Sequence, residues 1–263
     1  MYKIKVKSRH DSHKVIRDNL PLLPFLGVVR FGSVTEVPGA LAECNTIIAV
    51  QTAMDKRKMK RKFDDLNVIH AAWRETPDDF LDNPLKYPVV IKNPLGSGGT
   101  GVYLIKDKEQ FDSWRAKPNH QHDNYIFEAF HDYGHEFRLN CTQDECFLAT
   151  RKVLKPGEVK NVWKKGGDNC VWLGEDNPKF EKPANWDDIV KGACLAVRAC
   201  GLDIGGVDVK VQKNYDKNGK FREAPEWFVI ECNSAPSSHG NKTQKAYIEA
   251  IVEILKKKHG DLA

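Results

Sequence analysis

From Tyr87 onward the chain alternates short β-branched runs with amphipathic helical runs, a mixed α and β pattern. Tyr87 to Ile91 and Val102 to Ile105 read as two strands joined by a glycine turn, and Asp107 is placed to cap a helix through Trp114. Asn124 to Phe130, His135 to Thr142 and Cys146 to Leu154 follow as antiparallel strands, so few parallel crossovers are expected. Trp186, Ile189, Val190, Ala193, Val197 and Cys200 recur at helical spacing, and Gly201 stops that helix. Val207, Val209 and Val211 alternate with Asp208 and Lys210. The turn at Asn218-Gly219 then leads back into Trp227 to Cys232, which makes a hairpin. A last helix runs from about Lys242 to Lys257.

Two regions are less regular. Pro156 to Pro183 is polar, rich in Lys, Gly and Asn and without clear period, and reads as one long loop of the functional kind. The N-terminal third shows a strand near Tyr2 to Val6 and another near Gly27 to Arg30. A helix follows from Thr46 that either runs on through Lys62 or breaks near Asp55. A soft boundary falls near Asn83 to Lys86, and no internal repeat is present.

With 263 residues, 41% of them hydrophobic and 29% charged, the chain can bury a core without disulfides or a structural metal. The N-terminus lacks the apolar stretch of a signal peptide and no segment reaches membrane-spanning length, so a cytoplasmic, reduced setting is expected for its seven cysteines. No cysteine pair has zinc-knuckle spacing. A net charge of +5 is modest; it suggests an anionic ligand and supports nucleic-acid binding only weakly.

Gly96, Gly98 and Gly101 have the spacing GxGxxG. A dinucleotide-binding turn would open a helix, whereas Val102 to Ile105 continues as a strand. The later signatures of a protein kinase are missing, as is the Gly-Lys-Ser or Gly-Lys-Thr of a P-loop. What remains is a strand ending in Lys92 and a hairpin tip whose backbone N–H groups can lie on phosphate oxygens. An ordinary glycine hairpin with a surface lysine fits the loop equally well.

Asp208 lies in an apolar strand, and Glu231 and Asn233 share one face of the return strand. An antiparallel partner can place Asp208 opposite them. Two carboxylates and an amide oxygen make a hard oxygen site suited to magnesium carrying nucleotide phosphates. Three polar residues on a solvated hairpin face are the competing reading. The small polar loop Ser234 to Ser238 behind Asn233 favours the metal site, since a helix start there could receive an anion.

Taken in order, these motifs resemble the ATP-grasp superfamily from about Arg30 to the end. The likeness is greatest to its D-alanine:D-alanine ligase and ribosomal-protein glutamate ligase branches. The resemblance implies an α+β ATP-grasp fold, two α/β subdomains with antiparallel sheets gripping ATP, preceded by a short N-terminal α/β segment. The expected divisions are a reduced N-terminal region at 1–53, a subdomain with the glycine loop at 54–130 and a subdomain with the magnesium site at 131–263.

It also implies ATP with two magnesium ions as cofactors and the following contacts. Lys56, in Met54-Asp55-Lys56, and Lys92 reach the phosphates beneath the mobile loop Gly96, Ser97, Gly98, Gly99, Thr100 and Gly101. Glu128 and the backbone of Ala129, Phe130 and His131 hold the adenine, Glu136 the ribose, and Ile230 joins the nucleotide contacts. As side chains, His131 and His135 are expected to be structural. Asp208, Glu231 and Asn233 hold magnesium, and Ser234 and Ser237 line the acceptor pocket.

Two departures stand out. Gly205-Gly206 occupies the place of the arginine that dipeptide ligases carry before the Val-Asp strand, which leaves Arg138, Arg151 and Lys152 as candidate catalytic cations. The N-terminal region is short for a substrate domain, so Arg30 to Ser33 and Asn45 would form a reduced pocket, though a turn and a helix cap explain them equally. Lys160, Asn161, Lys164 and Lys165 are the expected contacts to an acidic small-molecule, peptide or protein-terminus substrate; lysine runs are also ordinary solvated faces.

The implied activity is ATP-dependent carboxylate–amine ligation through an acyl phosphate, releasing ADP and phosphate. Cys232, between two proposed ligands, should point away into packing. An ATP-grasp kinase acting on a polyanionic small molecule and a non-catalytic nucleotide-binding or nucleic-acid-binding protein are the alternatives. Hydroxylamine separates ligase from kinase by trapping an acyl phosphate.

Overall fold

The computed structural model describes residues 1–117, 124–158, 169–238 and 240–260. In chain order the elements are β1 (Tyr2–Lys3), β2 (Lys5–Ser8), α1 (Lys14–Asn19), β3 (Leu22–Leu23), β4 (Gly27–Phe31), β5 (Ala42–Cys44), α2 (Ile47–Met54) and α3 (Lys56–Asp65). They continue with β6 (Trp73–Arg74), α4 (Pro77–Asp82), β7 (Val89–Lys92), β8 (Val102–Ile105), α5 (Lys108–Arg115) and β9 (Ile126–Ala129). The last are β10 (His135–Thr142), β11 (Cys146–Leu154), β12 (Cys170–Gly174), α6 (Trp186–Ala199), β13 (Ile204–Val211), β14 (Trp227–Asn233) and α7 (Asn241–Gly260).

Alternating burial makes the five-stranded sheet, ordered β12-β11-β10-β13-β14 and antiparallel throughout, two-faced. Phe137, Leu139, Ala149, Val207, Val209, Val211 and Val229 point to one side, where Ile189, Ala193, Ala196 and Val197 of α6 cover them. Gly192 in that helix leaves room for Trp227: a Cβ there would stand 2.1 Å from the indole ring. The opposite face carries Glu136 and Arg138 of β10, Lys152 of β11, Asp208 and Lys210 of β13 and Glu231 of β14.

The second sheet, ordered β6-β9-β7-β8, is antiparallel and lies on an aromatic core of Phe80, Phe111, Trp114, Tyr125 and Phe127. Each fully buried phenylalanine there contributes roughly 1.5–3 kcal/mol. The expected strand start at Tyr87 moves to Val89 because Pro88 has no N–H for the ladder. Asp107 caps α5 as expected, accepting from the Gln110 N–H at 2.9 Å. α4 is an addition, set by a reciprocal capping box between Thr76 and Asp79.

At the N-terminus β2, β4 and β5 form a parallel sheet, the exception to the antiparallel expectation. α7 closes it: Tyr247, Ile251 and Leu255 share a core with Ile4, Ile16, Phe25 and Phe31. Ala49, Val50, Met59 and Phe63 of α2 and α3 meanwhile pack beneath the five-stranded sheet.

The helix from Thr46 does break at Asp55. Its side chain accepts from the Arg57 N–H at 2.9 Å and starts α3, while Thr46 caps α2. The segment Pro156 to Pro183, expected as one loop, contains β12 and a 3-10 turn at Pro178–Phe180. β12 is an edge strand with Val171 and Trp172 both partly exposed, so no alternation marked it. Among the described residues no helix is long and apolar enough to cross a membrane.

Candidate active site

The hairpin register sets Asp208 of β13 directly opposite Glu231 of β14, with Asn233 opposite Gly206. A β-bulge follows, because Asp208 pairs with Glu231 but Val209 with Val229. Val229 and Cys232 both enter the α6 core, which a strand of unbroken period two cannot do over three residues. The extra residue, Ile230, therefore stands on the charged side next to Glu231. Cys232 is buried on the other side, as expected, with its N–H donating to Met59 Sδ at 3.3 Å.

Asp208, Glu231 and Asn233 converge. The Asn233 amide nitrogen donates to Asp208 Oδ2 at 3.3 Å and to Glu231 Oε1 at 3.1 Å. It is the amide nitrogen rather than the expected oxygen that faces the carboxylates, since two anions attract a donor; a flip of the amide would present Oδ1. Burial pushes the Asp208 carboxyl up, and the Arg138 guanidinium pulls against it without restoring the ordinary value. For Glu231 burial also acts upward most strongly, but Lys56, Lys92, Asn233 and Arg138 together outweigh it and hold the group low. Both are oxygen donors with charge at hand, the set a hard divalent cation takes. Among the described residues no group of three or more His, Cys, Asp and Glu could hold a metal, so an ion here would lean on ligand oxygens as well.

Of the candidate cations, Arg138 forks onto Asp208, with Nε to Oδ1 at 2.7 Å and Nη2 to Oδ2 at 2.8 Å, and lies 4.6 Å from the centre of the Trp172 ring. Lys152 pairs with Glu136 at 2.9 Å on the same face, and burial, which lowers its pKa, is outweighed by that carboxylate. Lys210 lies 3.8 Å from the other Glu136 oxygen. Arg151 is corrected: it alternates to the opposite face, where its guanidinium binds the Lys179 carbonyl and Glu181. Gly206 lacks space for the missing arginine, because a Cβ would stand 2.6 Å from Pro236 Cβ.

The glycine loop folds back on Asn93, which accepts from Gly96 N–H at 3.1 Å and donates its own N–H to Gly101 O at 2.9 Å. Gly98, Gly99 and Gly101 have φ of 59°, 80° and 73°, the left-handed region that glycine tolerates. Ser97 and Thr100 are exposed at its tip. Lys56 joins this loop to the carboxylates: its Nζ donates to the Gly96 carbonyl and lies 3.9 Å from Glu231 Oε2.

Lys92 does not reach into the open. It pairs with Glu128 Oε2 at 2.7 Å. Glu128, expected to hold adenine, is only 3% exposed and is the hub of a lysine cluster. At the hinge the Ala129 N–H donates to Ala72 O and the Phe130 N–H to Pro88 O, so these two donors are engaged within the protein. The His131 ring packs on Tyr133 and Phe228. His135 is buried beside Phe137, and burial followed by Arg151 lowers it to about 4.

The expected N-terminal pocket is structural. Arg30 is 1% exposed and donates to Glu43 and the carbonyls of Thr35 and Asn45. Asn45 is fully buried at φ 62°; its amide donates to Arg30 O and Ile204 O and accepts from the N–H groups of Asp203 and Ile204. It rivets the parallel sheet to β13. Ser234 is buried and Ser237 exposed in the loop after β14. Lys160, Asn161, Lys164 and Lys165 lie outside the described residues.

Sequence reasoning missed Lys60, Lys210 and Trp172. Lys60 was hidden in a basic run in which Lys58, Arg61 and Lys62 face solvent, and only its i+4 offset from Lys56 signalled a shared face.

D-alanine–D-alanine ligase from Bacillus anthracis, in a structure complexed with ATP, matches over 97% of this chain and 98% of its own, with a TM-score of 0.64 and 14% identity. N5-carboxyaminoimidazole synthase from Aspergillus clavatus, in complex with ADP and 5-aminoimidazole ribonucleotide, matches over 86% of this chain and 60% of its own, with a TM-score of 0.56 and 16% identity. In sequence, beta-citrylglutamate synthase B of Danio rerio is 27% identical over 150 residues, 55% of this chain and 33% of that protein. The match thus spans about a third of that relative's length. No family model matches the sequence. The fold is the ATP-grasp fold, mixed α and β with antiparallel sheets, as the motifs implied.

Proposed function

We propose that this ATP-grasp chain is an ATP-dependent carboxylate–amine ligase. The observation that carries the reading is Lys56, whose single amine donates to the glycine-loop carbonyl of Gly96 and lies 3.9 Å from Glu231, the partner of Asp208 across the hairpin. Loop and carboxylates thereby face one volume, the arrangement a phosphate chain with its cation needs. The solved ATP-grasp structures with bound ATP or ADP support nucleotide as the occupant.

Asp208, Glu231 and, after an amide flip, Asn233 would hold magnesium, which would neutralise charge on the transferred phosphoryl group. Lys56 and Lys92 add positive charge at its edge, and the loop amides lie over it. Arg138 and Lys152, on the same face, replace the arginine that Gly206 excludes and stabilise the oxyanion formed when an amine attacks the acyl carbon. The γ-phosphate passes to a carboxylate oxygen, the amine displaces phosphate, and the amine's proton leaves to solvent. Glu136 stays the candidate for the ribose hydroxyls and Ile230 for the apolar floor. The loop from Ser234 to Ser238 is the candidate acceptor wall, with an acidic small molecule, peptide or protein terminus as substrate. Seven free cysteines fit a cytoplasmic setting.

Incubation with Mg-ATP, hydroxylamine and single amino or dicarboxylic acids tests the reading. A ligase yields a hydroxamate and stoichiometric ADP with its acid substrate. ADP release with a phosphorylated alcohol and no hydroxamate would instead identify the kinase chemistry.

A further inference from the structure

Beneath the glycine loop lies a buried charge cluster that ligation does not account for. Lys60 is 0% exposed, projecting from α3 to within 3.6 Å of Glu128 Oε1. Glu128 Oε2 is already bonded to Lys92 at 2.7 Å. Two ammonium groups therefore share one carboxylate, and at 3.6 Å Lys60 Nζ and Glu128 Oε1 are both left without a hydrogen bond. A buried donor and acceptor left without a hydrogen bond are costly. A purely structural pair would need only one of the lysines.

The two lysines differ in reach. The Lys92 side chain is 11% exposed, at the end of the strand that enters the glycine loop, whereas Lys60 is sealed in. Burial lowers the Lys60 amine to about 8, with Glu128 acting in the opposite sense, so it is still mainly charged at neutral pH. Burial is also the largest influence on Glu128, acting upward, yet Lys60 and Lys92 outweigh it and keep the group ionised. If Lys92 alone faced Glu128, drawing it to another anion would strand a buried carboxylate. With Lys60 in place the carboxylate keeps a partner, and Lys92 leaves a like charge behind.

We propose that Lys60 is a positioning residue that takes up Glu128 when Lys92 turns from that carboxylate to a nucleotide phosphate. The inference rests on the nucleotide site proposed above. Lys60 itself touches no ligand; its effect passes through Glu128 and Lys92. No bond is made or broken in the exchange.

The test is a calorimetric titration of Mg-ADP into the wild type, Lys60→Met, Glu128→Gln and the double variant, with a thermal melt of each. Lys60→Met removes a buried charge while Glu128 keeps Lys92, so it should melt at or above the wild-type temperature. Its dissociation constant for Mg-ADP should nevertheless rise about tenfold, because Lys92 is then held by an unshared carboxylate. Adding Glu128→Gln frees Lys92 and should return affinity to that of Glu128→Gln alone, a non-additivity that a structural lysine would not produce. Three results overturn the proposal: wild-type affinity in Lys60→Met, a loss in the double variant as large as in Lys60→Met, or a melting temperature several degrees below wild type. Failure of the wild type itself to bind Mg-ADP would instead refute the nucleotide site.

Discussion

Asp208→Asn tests the charged face where metal binding and folding meet. Asp208 is 6% exposed and accepts both arms of the Arg138 fork at 2.7 and 2.8 Å. An amide keeps one acceptor and turns a donor toward the guanidinium, so one charge-assisted bond is lost and the remaining contact is opposed. Breaking one side of a buried ion pair costs about 3–5 kcal/mol. Two features reduce that figure: the Arg138 side chain is 19% exposed, and burial had already raised the Asp208 carboxyl, so the native anion carries a penalty that the amide removes. A net loss of about 2–3 kcal/mol follows, and at 2–4 °C per kcal/mol the melting temperature should fall by roughly 4–12 °C. Differential scanning calorimetry measures it. The double variant Arg138→Met with Asp208→Asn should recover most of the loss, because no guanidinium is then stranded. An Asp208→Asn protein melting within a degree of wild type would refute this reasoning. Glu231→Gln is the cleaner metal probe, since its carboxylate is 30% exposed and 3.9 Å from Lys56.

Asn45→Ala removes four side-chain hydrogen bonds, three of them to Asp203 and Ile204 at the start of β13 and one to Arg30 of the parallel sheet, and places alanine at positive φ; urea denaturation should show a loss of about 3–5 kcal/mol. His135 is held neutral, at about 4 against 6.5 when free, so the unfolded chain takes up its proton first as pH falls. Stability should decline from about pH 6.5 toward 4, and His135→Gln should flatten that slope in pH-dependent melts. Under the proposed function, Arg151→Ala should leave ADP release within a few-fold of wild type, whereas Arg138→Ala should reduce kcat about 100-fold or more in the same assay.

The charged half of the site was legible because period two and hairpin pairing dictate which residues share a face. Asp208, Glu231 and Asn233 needed no more than that, and the Gly96 to Gly101 loop was marked by the strand on either side. The errors have a common physical origin. Whether a polar side chain faces a ligand or a buried partner depends on contacts distant in sequence. Arg30 is consumed by Glu43, Asn45 by Asp203 and Ile204, and Glu128 by Lys92, none of which leaves a local pattern. Arg151 went wrong for a simpler reason, since its parity relative to Lys152 already placed it on the other face. Edge strand β12 escaped because an edge need not alternate. The parallel N-terminal sheet escaped because its short strands are buried by α7 from the far end of the chain.

The central claim is that the glycine loop, Lys56 and the Asp208–Glu231 pair hold a nucleotide together with its magnesium. Calorimetric titration of a non-hydrolysable ATP analogue, with and without Mg2+, into the wild type and Glu231→Gln tests it most directly. The account predicts one site per chain, tightened at least tenfold by Mg2+ in the wild type and almost indifferent to Mg2+ in Glu231→Gln. No binding in the wild type, or equal enhancement by Mg2+ in both proteins, would contradict it.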